Sequence, residues 1–276
     1  MINGELLLMI DVFFYSHPVF RYDEFANWKA EQGTKHPRAI QNALQYYLNI
    51  GRILNIRRGL YAVAPPTGVD EPILVDPYLI AAKVTEDNVL AYHTALELHG
   101  VAYTIFDRFT FLTNKKTKPF EFQNHWFQPS SFPKALKKKD AYFGVESINR
   151  QELEIKITSL ARTFVDVLDR IPHSGGWEEI VRSISKAVSL NIEEVIEYCL
   201  MLKNNILVAK VGFFLEQRQG AFAVKNNLLE LLLKHKPSSP QSLATSREPG
   251  QFIKKWNLIM PKYVLQKSWD EPNHDI

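Results

Sequence analysis

The fold is decided by the stretch Pro37-Arg-Ala-Ile-Gln-Asn-Ala-Leu-Gln-Tyr-Tyr-Leu-Asn-Ile-Gly51 and the run that follows it, Arg52-Ile-Leu-Asn-Ile-Arg-Arg-Gly-Leu-Tyr-Ala-Val63. The first stretch predicts an amphipathic helix, because its apolar residues recur at i, i+3, i+4, i+7 and i+8. These residues are Ile40, Ala43, Leu44, Tyr47 and Leu48. Pro37 suits the first turn, with Thr34 or His36 as the cap, and Gly51 suits the end.

The opposite face of this helix is polar and carries no acidic residue. It presents Arg38, Gln41, Asn42, Gln45 and Asn49. Solvated helix faces usually carry Glu and Lys, whereas Arg, Gln and Asn are the side chains that pair with base edges in the major groove of DNA. We therefore predict that Arg38, Gln41, Asn42 and Gln45 contact bases.

The residues after the helix predict a β-hairpin with a basic tip. Two β-rich runs, 52–57 and 60–63, are separated by Arg58-Gly59, where the glycine can adopt a positive φ. Two further helices are expected upstream, over 5–15 and 23–31. Helices followed by such a hairpin are typical of a winged helix-turn-helix, whose wing reaches the flanking DNA backbone.

Local charge supports DNA binding, although the net charge of +3 does not. Residues 32–69 contain five Lys or Arg residues and His36 but no acidic residue, while the whole chain has 30 acidic residues. A DNA backbone requires a positive surface of this kind. The predicted phosphate contacts are Lys35, His36, Arg52, Arg57 and Arg58. The alternative is a small α+β lobe whose arginines are merely solvated.

The rest of the chain predicts a second, larger domain and an overall α/β (α+β) fold class. We expect the winged helix over residues 1–65, a Pro-rich linker, and a mixed α/β domain over 70–276. Strands should dominate that domain to about residue 157, and helices should follow. The chain has 276 residues, of which 46% are hydrophobic, and its apolar runs are too short to cross a bilayer. Together with a single cysteine, Cys199, this predicts a cytoplasmic protein without a membrane segment.

An enzymatic alternative rests on Asp140, Glu154 and Lys156, which follow the Asp…Glu-x-Lys order of Mg²⁺-dependent nucleases. The segment 152–157 fits an alternating strand with its polar residues in water equally well, and we favour that interpretation. His93 and His99 lack the neighbouring ligands of a metal site. We expect no enzymatic activity, no cofactor and no metal. The remaining lysine groups, at 115, 116 and 118 and at 137–139, are interpreted as solvated loop charges. The alternative is contact with DNA phosphates or with an acidic or RNA-like partner.

Several motifs along the chain resemble the AbiEi family of antitoxins. In the wing the resemblance lies in Arg57-Arg-Gly-Leu-Tyr-Ala-Val63. In the second domain it lies in Ala91-Tyr-His-Thr-Ala-Leu96, Lys156-Ile-Thr-Ser-Leu-Ala-Arg-Thr-Phe-Val-Asp-Val-Leu-Asp169, Gly175-Gly-Trp-Glu-Glu179 and Lys210-Val-Gly-Phe-Phe-Leu-Glu216. Arg162, Thr163 and Asp166 match the motif helix of the family.

The resemblance implies an autorepressor that binds repeats in its own promoter and counteracts a nucleotidyltransferase toxin encoded beside it. Such pairs act in phage defence as type IV toxin–antitoxin systems, in which direct contact with the toxin is not required. A winged-helix regulator of other genes, with a ligand-sensing or dimerising second domain, is the competing hypothesis. The operator sequence and the oligomeric state stay open.

Arg162 and Asp166 have three possible roles from the sequence. They lie at i and i+4 of one predicted helix, so an ion pair along that helix is the simplest interpretation. A tether from the helix to a neighbouring strand is the next, and a catalytic role is the last.

Overall fold

The computed structural model describes residues 2–64, 74–244 and 248–267, and for residues 2–8 it describes the backbone alone. This part of the chain is a mixed α/β fold with three sheets, as the sequence predicted. The helices are α1 (Ile2–Ser16), α2 (Tyr22–Glu31), α3 (Pro37–Asn49), α4 (Pro77–Lys83), α5 (His93–Leu98), α6 (Leu160–Asp169), α7 (Trp177–Lys186), α8 (Ile192–Met201), α9 (Asn205–Gln217), α10 (Asn226–Lys234) and α11 (Lys262–Gln266). The strands are β1 (Val19–Arg21), β2 (Ile53–Arg57), β3 (Leu60–Val63), β4 (Val89–Leu90), β5 (Arg108–Leu112), β6 (Phe120–Phe122), β7 (His125–Ser130), β8 (Val145–Arg150), β9 (Leu153–Thr158), β10 (Gln241–Ser242), β11 (Gly250–Ile253) and β12 (Leu258–Pro261).

The N-terminal segment forms the predicted winged helix-turn-helix in the order α1-β1-α2-α3-β2-β3. Its sheet is antiparallel with the strand order β1-β3-β2. The wing is the β2–β3 hairpin, and Gly59 in its turn has the expected positive φ of +78°. Gly51, at φ +71°, follows the last residues of α3, as a glycine placed after a helix end should.

Aromatic side chains fill the core of this winged helix. The ring of Phe13 packs edge-on against Phe20, at 5.3 Å between centroids, and against Phe25, at 5.6 Å. Ile40 and Leu44 of α3 are buried in the same cluster. Because these two residues anchor the apolar stripe of α3 in the core, the polar face of the helix is turned outward.

A six-stranded mixed sheet follows, with the strand order β6-β7-β5-β4-β9-β8. The sequence predicts one strand over 120–127, which is wrong because the chain reverses at Gln123-Asn124. Both residues have positive φ, at 49° and 64°, as a tight hairpin turn requires. Asparagine tolerates this region, but a lone Gln-Asn pair within an aromatic run is a weak turn signal.

Helices α6 to α10 share one hydrophobic core with the C-terminal sheet, whose order is β10-β12-β11. The fully buried Trp256, between β11 and β12, lies against Gly212 of α9. The Ser- and Pro-rich composition of residues 236–250 predicts a surface loop, and this prediction is wrong in part, since Gln241–Ser242 pairs with β12. Strands of two to four residues are too short to show a period of their own.

The described residues fall into two compact units. The first contains residues 1–90, 107–130 and 146–157, and the second contains 91–106, 131–145 and 158–276. In this division the winged helix belongs to the same unit as the six-stranded sheet. The predicted linker after Ala64 lies outside the described residues. Within the described ranges, no helix has the length and apolar character needed to cross a membrane.

Candidate nucleic-acid interface

The exposed face of α3 carries the predicted base-contacting residues. Arg38, Gln41, Asn42 and Gln45 are all exposed, and each lies on the side of α3 away from the core. Among the described residues, no acidic side chain belongs to α3. The structure thus brings together the four side chains that the sequence singled out, on one solvent-facing surface.

The N-terminus of α3 is organised by His36. The backbone N–H of Arg38 donates a hydrogen bond to Nδ1 of His36 over 3.2 Å, so His36 is the N-cap, one of the two predicted candidates. His36 is itself exposed, as is Lys35, which precedes it in the chain. A helix N-terminus of positive potential flanked by a lysine suits a phosphate group.

Gln45 is held in place by a neighbour one helical turn away. Its Nε2 donates to Oδ1 of Asn49 over 2.7 Å. One N–H and the carbonyl oxygen of Gln45 remain directed away from this bond, and these are the groups an adenine edge would engage. The sequence placed Asn49 on the face but gave no indication that it would position Gln45.

A shallow groove lies between α3 and the wing. It is lined by Gln41, Asn42, Gln45, Leu48 and the ring of Tyr61 from β3, with Leu44 below. Tyr61 also stacks on Phe20, at 5.6 Å between centroids, which fixes its position. Sequence reasoning placed Tyr61 in a strand and in the wing motif but did not place it against α3, because strand periodicity does not show which side chain faces a helix.

Arg52 has a partner that the local charge pattern could not reveal. Its guanidinium forms an ion pair with Asp11 of α1, 41 residues earlier, and lies 5.2 Å from the ring centroid of Phe14. Residues 32–69 contain no acidic residue, but in the folded protein the carboxylate of Asp11, from outside this range, lies next to Arg52. A phosphate would have to compete with the Asp11 carboxylate for Arg52.

The two wing arginines differ sharply in their surroundings. Arg57 is half-buried, donates from Nη1 to Oγ1 of Thr117 over 3.1 Å, and lies 4.7 Å from the ring centroid of Phe120. Arg58 is exposed at the turn. Arg57 therefore holds the wing against the segment before β6. Arg58 is the wing arginine that faces solvent.

In the second unit, Arg162 and Asp166 form a buried ion pair on α6. Nε of Arg162 lies 3.3 Å from Oδ2 of Asp166, and the Tyr198 hydroxyl donates to Oδ1 of Asp166 over 2.7 Å. Nη1 of Arg162 donates to the carbonyl oxygens of Ala141 and Phe143, at 2.8 and 2.6 Å. The ion pair along the helix is therefore present, while the tether runs from α6 to the turn before β8 and not to a neighbouring strand as predicted.

Thr163 lies in the same helix and is fully buried. Its hydroxyl is 2.7 Å from the Thr158 hydroxyl and also donates to the Thr158 carbonyl oxygen. The three motif residues of α6 therefore bond to parts of their own unit rather than to solvent.

A second buried cluster surrounds His93. Its two ring nitrogens lie 3.1 Å from Oε1 of Glu97 and 3.0 Å from Oε1 of Glu179. Burial alone lowers the pKa of His93, but the hydrogen bonds to Glu179 and Glu97 outweigh it and raise the pKa. Burial likewise raises the pKa of Glu179, yet hydrogen bonds from His93, Thr104 and Ser183 bring it down to about 2. Sequence reasoning considered His93 only as a metal ligand and missed this network.

Of the three residues considered for catalysis, Glu154 and Lys156 are on an ordinary strand, whereas Asp140 ends a short 3-10 helix, Lys138–Asp140. Glu154 and Lys156 of β9 alternate with the buried Leu153, Ile155 and Ile157, as the alternating-strand interpretation predicts. The Glu154 carboxylate accepts a hydrogen bond from Oγ of Ser147. In the described part of the chain, no three His, Cys, Asp or Glu side chains converge as a metal site would require. Cys199 is buried, which raises the pKa of its thiol to about 12.

The fold and this surface define a winged-helix protein with a mixed α/β remainder. No family model and no curated protein sequence matches the chain. Among solved structures, the chain is similar to the crystal structure of the Rv2827c protein from Mycobacterium tuberculosis, with a TM-score of 0.60 and 14% sequence identity. The match covers 92% of this chain and 90% of that one. At this identity the likeness concerns the fold alone.

Proposed function

We propose that this protein is a cytoplasmic, sequence-specific DNA-binding autorepressor that acts as the antitoxin of a nucleotidyltransferase-type toxin. The observation that carries the DNA-binding part is the exposed face of α3, where Arg38, Gln41, Asn42 and Gln45 project together beside an exposed wing arginine. The composition of this face matches the chemistry of base edges in the major groove. The antitoxin part is supported by the resemblance of the chain to AbiEi proteins.

The competing hypothesis of a ligand-sensing regulator gains little from the cavity that the second unit has among α7, α9 and α11. This cavity has a volume of about 110 Å³. Pockets that enclose small-molecule effectors measure roughly 300–1,000 Å³. The antitoxin hypothesis is therefore the one we develop.

DNA binding is tested by gel shift with a duplex taken from the region upstream of the gene and a scrambled duplex of the same composition. Replacing Gln45 by alanine should weaken binding to the upstream duplex by about 1–3 kcal/mol at one base position and narrow the difference between the two duplexes. Arg58→Ala should instead weaken both duplexes alike and flatten the salt dependence, because Arg58 is predicted to contact phosphate.

A matched control is available on the same helix. Tyr46 is exposed on α3 but lies outside the predicted face, so Tyr46→Ala should leave the preference for the upstream duplex unchanged. If Gln45→Ala and Asn42→Ala both retain the full preference, the assignment of this face is wrong.

The antitoxin role requires a separate experiment, because DNA binding and toxin neutralisation are separable activities. The neighbouring gene is expressed with and without this protein, and growth is scored. We expect arrested growth without this protein and restored growth with it. A neighbouring gene that is harmless when expressed alone would remove the antitoxin role and leave a winged-helix regulator of other genes.

A further inference from the structure

The loop between β5 and β6 carries a dense group of positive charges. Within residues 113–119 it contains Lys115, Lys116 and Lys118, and all three side chains are exposed. From the sequence these lysines resemble ordinary solvated loop charges. Their position in the fold, on a loop that contacts the wing, indicates a role in binding instead.

This lysine loop is attached to the wing by Arg57. Arg57 donates a hydrogen bond to Thr117, and its guanidinium lies over the ring of Phe120. These two contacts hold the loop on both sides of Lys118. Thr117 itself lies between Lys116 and Lys118 in the chain. Arg57 is the last residue of β2 and adjoins the wing turn. Each of the three lysines is one or two residues from Thr117, so the length of the chain keeps them near that turn.

The base of the loop is also fixed. The Asp87 carboxylate accepts hydrogen bonds from Oγ1 of Thr113, at 2.6 Å, and from the backbone N–H of Asn114, at 2.8 Å. A loop held at its base and at Thr117 presents its lysines at a defined place, so little ordering entropy is lost when they meet a ligand.

The lysines of this loop are available to an external anion. Among the described residues, the one carboxylate near the Lys115 ammonium is that of Glu86, at 3.9 Å between Nζ and Oε2, and both side chains are exposed. Within the residues that the structure describes, Lys116 and Lys118 have no carboxylate within 4.0 Å. Exposed pairs of the Lys115 type are worth little and give way readily to a phosphate.

We propose that the Lys115–Lys118 loop is a second phosphate-binding element that contacts the DNA backbone beside the wing. This inference rests on the proposed DNA-binding function and extends it, because the duplex would then reach past the winged helix onto the edge of the six-stranded sheet. The ligand is the sugar–phosphate backbone, so the loop adds affinity without base preference.

The experiment compares two triple variants of the full chain that remove the same charge. The loop variant carries Lys115→Ala, Lys116→Ala and Lys118→Ala. The control variant carries Lys137→Ala, Lys138→Ala and Lys139→Ala, three exposed lysines of another loop. Affinity for the upstream and scrambled duplexes is measured from 50 to 300 mM salt, and thermal melting checks that both variants fold.

The loop variant should bind both duplexes on the order of tenfold more weakly at 0.15 M salt, with the slope of log K against log salt reduced by about 2. The control variant should stay within about twofold of the unchanged protein. Equal weakening of both variants would show a net-charge effect and overturn the inference.

The outcome also separates this inference from the proposed function. If the loop variant keeps its full affinity and slope while Arg38→Ala loses binding, the lysine loop has no role but DNA binding stands. If the unchanged protein binds neither duplex, the inference and the proposed function both fall.

Discussion

The carboxylate of Glu179 is the most heavily hydrogen-bonded acidic group of the second unit. Oε1 accepts from the backbone N–H groups of Tyr103 and Thr104 and from Oγ of Ser183, and Oε2 accepts from Oγ1 of Thr104. His93 adds its own bond to Oε1. These donors stabilise the ionised carboxylate and so tie the segment after α5 to α7.

The lowered pKa of Glu179 predicts how the free energy of unfolding depends on pH. Its pKa falls from 4.5 to about 2 on folding, so its stabilising contribution is present above pH 4.5 and is lost as the pH falls toward 2. The pKa of His93 is raised from 6.5, so its contribution is present below pH 6.5 and is lost as the pH rises through the raised value. The cluster therefore stabilises the fold most between pH 4.5 and 6.5.

Glu179→Gln should lower the free energy of unfolding by about 2 kcal/mol at pH 5.5, with the deficit shrinking toward pH 2, where about half of the native carboxyl groups are protonated. Urea unfolding at several pH values measures this. Glu178→Gln is the matched control, because Glu178 is half exposed and pairs only with Arg182 on the same helix. A deficit that stays constant down to pH 2 would contradict the assigned ionisation.

Arg162 offers a test of whether the motif residues of α6 are structural. Its guanidinium is fully buried and neutralises Asp166, so Arg162→Met leaves a carboxylate without its counter-charge. Removing one partner of a buried pair costs about 3–5 kcal/mol. Chemical denaturation should show a loss of that size, whereas Arg182→Ala, at a partly exposed pair whose guanidinium also lies over Tyr103, should cost only about 1 kcal/mol. An Arg162→Met protein as stable as the unchanged protein would contradict this structural role.

At the scale of elements, the sequence predicts those whose periodicity is long and whose ends are marked. The thirteen residues of α3 show a complete apolar stripe, a capping residue and a terminal glycine, so both its span and its outward face were predictable. The prediction of one strand over 120–127 is wrong, because the chain reverses at Gln123-Asn124 and this turn contains no glycine to mark it. The three short strands after residue 240 were missed, because they are defined by pairing with each other and by the burial of Trp256.

The packing of Trp256 on α9 gives a prediction at this scale. A Cβ atom on Gly212 would collide with the six-membered ring of Trp256, which is fully buried. Gly212→Ala should therefore destabilise the protein by about 1–3 kcal/mol, even though alanine favours a helix. Gly220→Ala is the control, since a Cβ there meets nothing within 4 Å and should be neutral or slightly stabilising. Equal melting temperatures for the two variants would contradict the packing of the C-terminal sheet on α9.

At the scale of the whole molecule, contacts distant in sequence decide which parts belong together. Lys83 forms an ion pair with Glu24 of the winged helix, 59 residues earlier, and Arg57 reaches Thr117 across 60 residues. A periodicity analysis registers neither contact, because it sees only neighbouring residues. The sequence therefore places a boundary at about residue 65, whereas the first compact unit joins the winged helix to residues 107–130 and 146–157.

This organisation predicts how a chain shortened to residues 1–64 behaves. The fragment keeps the aromatic core and the whole α3 face, so we expect it to fold and to retain the base preference of the full chain. It loses Lys83, the lysine loop and the partners of Arg57. Its affinity should therefore drop on the order of tenfold at 0.15 M salt, with a shallower salt dependence. Its stability should be marginal, as for most domains near 60 residues.

Circular dichroism and gel shifts across a salt series measure both properties of the fragment. Affinity and specificity should separate, because the proposal places base contacts on α3 alone and phosphate contacts on both the winged helix and the lysine loop. A fragment that binds as tightly as the full chain, with the same salt slope, would confine DNA binding to the winged helix. The fragment lacks Thr117 and Phe120, the partners of Arg57. A folded fragment without base preference would mean that these contacts are needed to hold the wing in a position that lets α3 enter the major groove of DNA.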